Sequence, residues 1–74
     1  MFGDVLRRAR EKAGMTQEKL AFEADVDRTY ISRPEKNKMS PTLDTLLRLG
    51  RALGTPASTL VARVERKQKL QRPC

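Results

Sequence analysis

Apolar residues recur at three- and four-residue intervals along almost all of this 74-residue chain, and no stretch alternates apolar with polar. Spacing of that kind gathers side chains on one face of an α-helix, whereas alternation would mark a strand. The chain is therefore expected to be all-α. Its length suits one small domain, stable by only about 4–11 kcal/mol at ~0.05–0.15 kcal/mol per residue. One misplaced residue would weaken it appreciably.

Val5, Leu6, Ala9 and Ala13 mark the inner face of a first helix over residues 4–13, which Gly14 ends. Thr16 can accept a hydrogen bond from the free amides of a second helix, whose first turn holds Glu18 at the positive end of the dipole. Leu20, Ala21 and Ala24 face inward there. After the tight connection Asp25-Val26-Asp27, Asp27 is the expected cap of a third helix starting at Arg28 and anchored by Ile31. A polar loop, KNKMSP, leads to a fourth helix with Leu43, Leu46, Leu47, Gly50 and Leu53 inward, stopped by Gly54. Thr55-Pro56 opens a fifth, since proline suits a first turn, with Leu60, Val61 and Val64 as its inner stripe. Phe22 is expected to pack. From Glu65 the charged ERKQKLQRPC is expected to fray, giving a domain over residues 1–66 and a basic tail over 67–74.

Sixteen Lys and Arg against nine Asp and Glu leave a net charge of +7, which favours a polyanionic partner such as nucleic acid. No apolar run is long enough to span a membrane, and the first residues do not resemble a signal peptide. The location expected is the cytoplasm of a bacterium or a phage host, in association with the nucleoid. With no histidine and only Cys74, the chain offers no zinc set and no disulfide within itself. It also lacks a phosphate-cradling glycine loop and a nucleophile–base pair. No enzyme activity, cofactor or small-molecule substrate is expected.

The informative unit is TQEKLAFEADVDRTYISRPEKNK, residues 16–38. A helix with small inner residues, a three-residue turn and a second helix with polar residues at its start make a helix-turn-helix. Ala21 and Ala24 allow a close crossing, and Leu20, Val26 and Ile31 would lock it. The second helix of such a pair presents its outer, N-terminal residues to the DNA major groove.

The stretches LRRAREKAGMTQEKLA, RTYISRPEKNK and SPTLDTLLRLGRALGTP together resemble the Cro/CI-type (xenobiotic-response-element) helix-turn-helix family of phage and bacterial repressors, over residues 4–62. The resemblance implies a compact five-helix, lambda-repressor-like domain that regulates transcription, acting as a homodimer on a palindromic operator in double-stranded DNA. By the same resemblance Thr16 and Gln17 meet DNA at the start of the second helix, Thr16 near a phosphate and Gln17 among the base readers. Arg28, Thr29, Ser32 and Arg33 are the candidate readers on the third helix. An arginine there can donate twice to a guanine edge, and the Thr29 methyl can meet thymine. Tyr30, Lys36, Asn37 and Lys38 are candidates for phosphates, which position a protein without reading sequence. In this family an arginine on the first helix pairs with a glutamate after the third; here Arg10 and Glu35 would tie the unit together and turn Arg10 toward a phosphate. The fifth helix and Leu70 are the expected dimer surface.

Three residues depart from the family pattern. Asp25 and Asn37 stand where glycine is common, a mild change because both tolerate left-handed backbone. Pro34 replaces a core aliphatic and removes the amide that would bond the Tyr30 carbonyl. The third helix is therefore expected to end or kink near Arg33, weakening Arg33 and the Arg10–Glu35 link. That feature leaves open an alternative: an interaction module or antitoxin of the same fold with weakened DNA reading.

Overall fold

Five helices follow one another in the computed structural model, which describes residues 2–71 and their side chains through Lys67. They are α1 (Phe2–Lys12), α2 (Gln17–Ala24), α3 (Thr29–Glu35), α4 (Leu43–Leu53) and α5 (Ala57–Gln71). No strand occurs among the described residues. Thr16 and Asp27 cap as expected from the sequence, and Thr42 starts α4 in the same way. Thr16 Oγ1 accepts from the Lys19 amide at 3.0 Å, and Thr42 Oγ1 from the Thr45 amide at 3.2 Å. Asp27 Oδ2 accepts from the Thr29 amide at 3.0 Å. Each satisfies one of the amides that a helix start leaves without a partner.

The ends of α1 to α4 share one device. Gly14, Asp25, Asn37 and Gly54 take left-handed backbone angles. The amide after each reaches back to the carbonyl five residues earlier: Met15 to Arg10, Val26 to Ala21, Lys38 to Arg33 and Thr55 to Gly50, at 2.9–3.1 Å. This is the Schellman arrangement, which satisfies the last carbonyls of a helix.

Leu6, Leu20, Ile31 and Leu49 are fully buried in one cluster with Ala21 and Ala24. Val5, Ala9 and Leu60 form a second between α1 and α5, and Leu53 packs against both. Helix α1 thus holds the α2–α3 pair on one flank and α5 on the other. At the second flank Arg8, Arg63, Arg66 and Lys67 line a groove, so part of the positive charge lies away from α3.

Several expectations need correction. In α4 Gly50, Leu46 and Leu53 face inward as expected, joined by the buried Thr45 and Leu49, while Leu43 and Leu47 are 71% and 47% exposed. Leucines surround that helix, so two phases fit the apolar spacing. The phase adopted sets Gly50 against the α5 entry, where a β-carbon would lie 2.8 Å from the Thr55 carbonyl oxygen. Ala13 falls after the last turn of α1 and is exposed. Val61 points outward because Leu60 and Val64 already fill the α1 contact. Phe22 is 79% exposed, with the Lys19 ammonium 6.0 Å from its ring centre. Helix α5 continues past Glu65 and across the 66/67 boundary to Gln71, and Lys67 Nζ lies 3.7 Å from Asp4 on α1. Cys74 and the Leu70 side chain lie outside the described residues.

Pro34 does not stop α3. The helix runs through it to Glu35, and the ring is fully buried. It sits in the last turn, where it withholds one amide only. The next amides close the end: Lys36 to the Ser32 carbonyl at 3.2 Å and Asn37 to the Pro34 carbonyl at 2.9 Å. The buried ring supplies apolar surface where the family has an aliphatic residue.

Candidate nucleic-acid interface

Ile31 and Pro34, three residues apart and both buried, define the inward side of α3. With 3.6 residues per turn, the opposite side carries the pairs 28/32 and 29/33. Arg28 and Arg33 are exposed, and Thr29 and Ser32 are half-buried. Arg28 already has helical angles, so its side chain leaves from the leading tip of the rod. Its guanidinium lies 3.6 Å from Glu18, both groups being largely in solvent. Such a pair is weak and screened by salt, leaving Arg28 free to turn to another acceptor. Tyr30 is 44% exposed, and Lys36, Asn37 and Lys38 are exposed around the trailing end. Thr16 stands exposed at the start of α2, its hydroxyl oxygen occupied by capping. Hydrogen bonds from the Thr29 hydroxyl and amide hold the Asp27 carboxyl below its usual range.

Behind this face three helices meet on one carboxylate. Glu35 Oε2 accepts from Arg10 Nε at 2.6 Å, and Oε1 accepts from Arg10 Nη2 and Gln17 Nε2, each at 3.1 Å. The Arg10 Nη1 group donates to the Met15 carbonyl at 2.9 Å, tying the end of α1 into the same network. The Glu35 side chain is only 4% exposed and that of Arg10 14%. Their hydrogen bond raises the Arg10 pKa above its already high ordinary value, so the guanidinium stays charged. The Arg10–Glu35 link placed in doubt by Pro34 is therefore formed. Of the two remaining candidates, Arg10 is largely enclosed, and the half-buried Gln17 gives its amide to Glu35.

Two ties were missed in the sequence. Arg48 donates to the Asp25 carbonyl at 3.1 Å and lies 3.2 Å from Asp44, bracing the turn from α4. The Gly3 amide donates to Asn37 Oδ1 at 3.0 Å. Neither contact leaves a periodic signal. Among the described residues no cluster of three metal-ligating side chains occurs, and no helix is long and apolar enough to cross a membrane.

The helix-turn-helix family profile matches residues 6–60. The control protein C.BamHI of Bacillus amyloliquefaciens is 42% identical over 62 residues, which cover 82% of this chain and 76% of that protein. Among solved structures, the restriction-modification controller protein C.AhdI from Aeromonas hydrophila superposes with a TM-score of 0.76 at 36% identity, covering 80% of this chain and 89% of that one. The DNA-binding domain of the P22 c2 repressor gives 0.78 at 28% identity, with 82% and 80% covered.

Proposed function

The chain belongs to the helix-turn-helix family, and from that premise we propose that it is a sequence-specific regulator of transcription, acting as a homodimer and, within that class, as the controller of a restriction-modification system. The observation that carries the DNA-reading part is the face of α3. Arg28, Thr29, Ser32 and Arg33 project from one side while Ile31 and Pro34 anchor the other. The controller assignment rests on the similarity to C.BamHI and C.AhdI.

On this reading α3 enters the major groove. Arg28 and Arg33 donate to guanine edges, and Thr29 and Ser32 make the shorter contacts. Gln17 extends the readout from the start of α2, its amide oxygen still able to accept. Thr16, Tyr30, Lys36, Asn37 and Lys38 meet phosphates and fix register. Arg10 acts through Glu35, holding the reading helix in place. One unit of this kind spans few base pairs, so two copies on a palindrome with half-sites about one helical turn apart supply the needed length. Leu43 and Leu47 on α4 and Val61 on α5 are exposed aliphatics on two helices that pack together. A second copy would cover them. The intact α3 and formed Arg10–Glu35 link support DNA reading over an interaction module of the same fold.

Selection from random duplex oligonucleotides with the purified protein tests this reading, the expected result being an enriched palindrome. With about six phosphate contacts per dimer, log K against log salt should have a slope of about −5. Equal binding to selected and scrambled duplexes would reduce the interaction to charge alone and overturn the proposal.

A further inference from the structure

The trailing end of α3 is seated on the first turn of α1 with no room between the backbones. Gly3 is buried there, and a β-carbon on it would lie 2.5 Å from the Glu35 carbonyl oxygen, 2.6 Å from that of Pro34 and 2.8 Å from Asn37 Oδ1. The Gly3 amide is among the early amides of α1 that its own helix leaves without a partner. It donates to the Asn37 side chain at 3.0 Å. The positive end of α1 thereby meets the negative end of α3, a favourable dipole arrangement.

Asn37 has two separable roles. Its backbone, at φ 59°, makes the left-handed turn that closes α3. Its side-chain oxygen reaches across to α1. Glycine at this position would serve the first role and leave the second empty. Arg10–Glu35 attaches α3 to α1 at another point, further along α1. Ile31 and Pro34 hold this seven-residue helix in the core, and two polar ties at separate points of α1 fix its direction further. Base-edge contacts require donors to be placed within a fraction of an ångström, since hydrogen bonds weaken steeply with distance and angle.

We propose that Gly3 and Asn37 are positioning residues for base reading: the Gly3–Asn37 contact fixes the direction in which α3 presents Arg28, Thr29, Ser32 and Arg33. This inference rests on the DNA-reading function above. The decisive variant is Asn37→Gly, which keeps the left-handed turn and should lower the thermal unfolding midpoint by only a few degrees, for the one hydrogen bond lost. Affinities are measured for the selected palindrome and for a scrambled duplex across a salt series, beside wild type and Gly3→Ala. For Asn37→Gly, affinity for the palindrome should fall about five- to tenfold, the equivalent of one lost hydrogen bond. Affinity for the scrambled duplex should fall less, by the Asn37 phosphate contact alone, and the salt slope should stay as in wild type because asparagine is neutral. Gly3→Ala should shift the same ratio further, and Asn37→Gly decides the matter if that variant does not fold. Unchanged discrimination by Asn37→Gly would overturn the inference. An equal loss on both duplexes is such a result and would make Asn37 a phosphate ligand only. A wild-type protein that fails to discriminate would instead overturn the DNA-reading function, and this inference with it.

Discussion

Replacing Glu35 by glutamine tests the convergence of three helices on one carboxylate. The carboxylate accepts three hydrogen bonds, two from Arg10 and one from Gln17. A carboxamide can keep the Arg10 Nε contact through its oxygen. Its NH2 group then faces Arg10 Nη2 and Gln17 Nε2, which are both donors. Gln17 can turn its own amide to accept from that group, but the Arg10 Nη2 contact becomes donor–donor, and an arginine only 14% exposed loses its counter-charge. Removing one partner of a fully buried pair costs about 3–5 kcal/mol. Arg10 keeps the Met15 carbonyl and some solvent, which lowers the expectation to about 2–3 kcal/mol. Against a total of about 4–11 kcal/mol, that is a large fraction. Urea unfolding at neutral pH should register it as a midpoint lower by about 2–3 M, taking a slope of about 1 kcal/mol/M. The double variant Arg10→Met with Glu35→Leu should recover most of the loss, because apolar groups of similar shape avoid the uncompensated charge. A Glu35→Gln loss below about 0.5 kcal/mol, the range of ordinary surface changes, would refute the reasoning.

Leu49→Ala should lower stability by about 2–5 kcal/mol, since Leu49 is fully buried between α4 and the α1–α3 core; chemical denaturation measures it, and a negligible effect would contradict the phase assigned to α4. Leu43→Glu combined with Leu47→Glu should leave the fold intact by circular dichroism and give a monomer by sedimentation, whereas an unchanged dimer would place the self-association surface elsewhere. Asp27 carries the pH prediction. Its carboxyl, held below the ordinary 3.8 by Thr29, contributes stability that is fully present above that value and lost as pH falls through the lower folded value. Unfolding midpoints of wild type and Asp27→Asn should therefore converge on acidification, and parallel curves would show that the Thr29 bonds do not stabilise the fold.

The local signals were readable in the sequence because they depend on neighbours along the chain. Thr16 and Asp27 cap as their positions imply. Asp25 and Asn37 take the left-handed angles that their residue types allow. What the sequence could not convey depends on packing between distant segments. Leucine spacing in α4 permits two phases, and only contact with α1, α2 and α5 selects one. Pro34 was judged by the rule for helix interiors, yet its burial against α1 depends on Gly3, distant in sequence. The charged end of α5 was read as a tail because charge density carries no record of the α1 flank that Lys67 reaches. At the interface, the outward set on α3 followed from helical spacing. Gln17 and Asn37 were assigned to DNA alone, because their partners Glu35 and Gly3 lie 18 and 34 residues away.

The separation of duties around Glu35 has a consequence for divergence. None of the four outward positions on α3 lines the core, and the side chains of Thr29, Ser32 and Arg33 take no part in the ties among α1, α2 and α3. Substitution there can redirect the protein to a new target while the frame that aims it stays unaltered. At Ser32 and Arg33 drift in preference is thus nearly uncoupled from folding, whereas Thr29 also holds Asp27, and related proteins can part company in the sites they occupy long before their architecture changes.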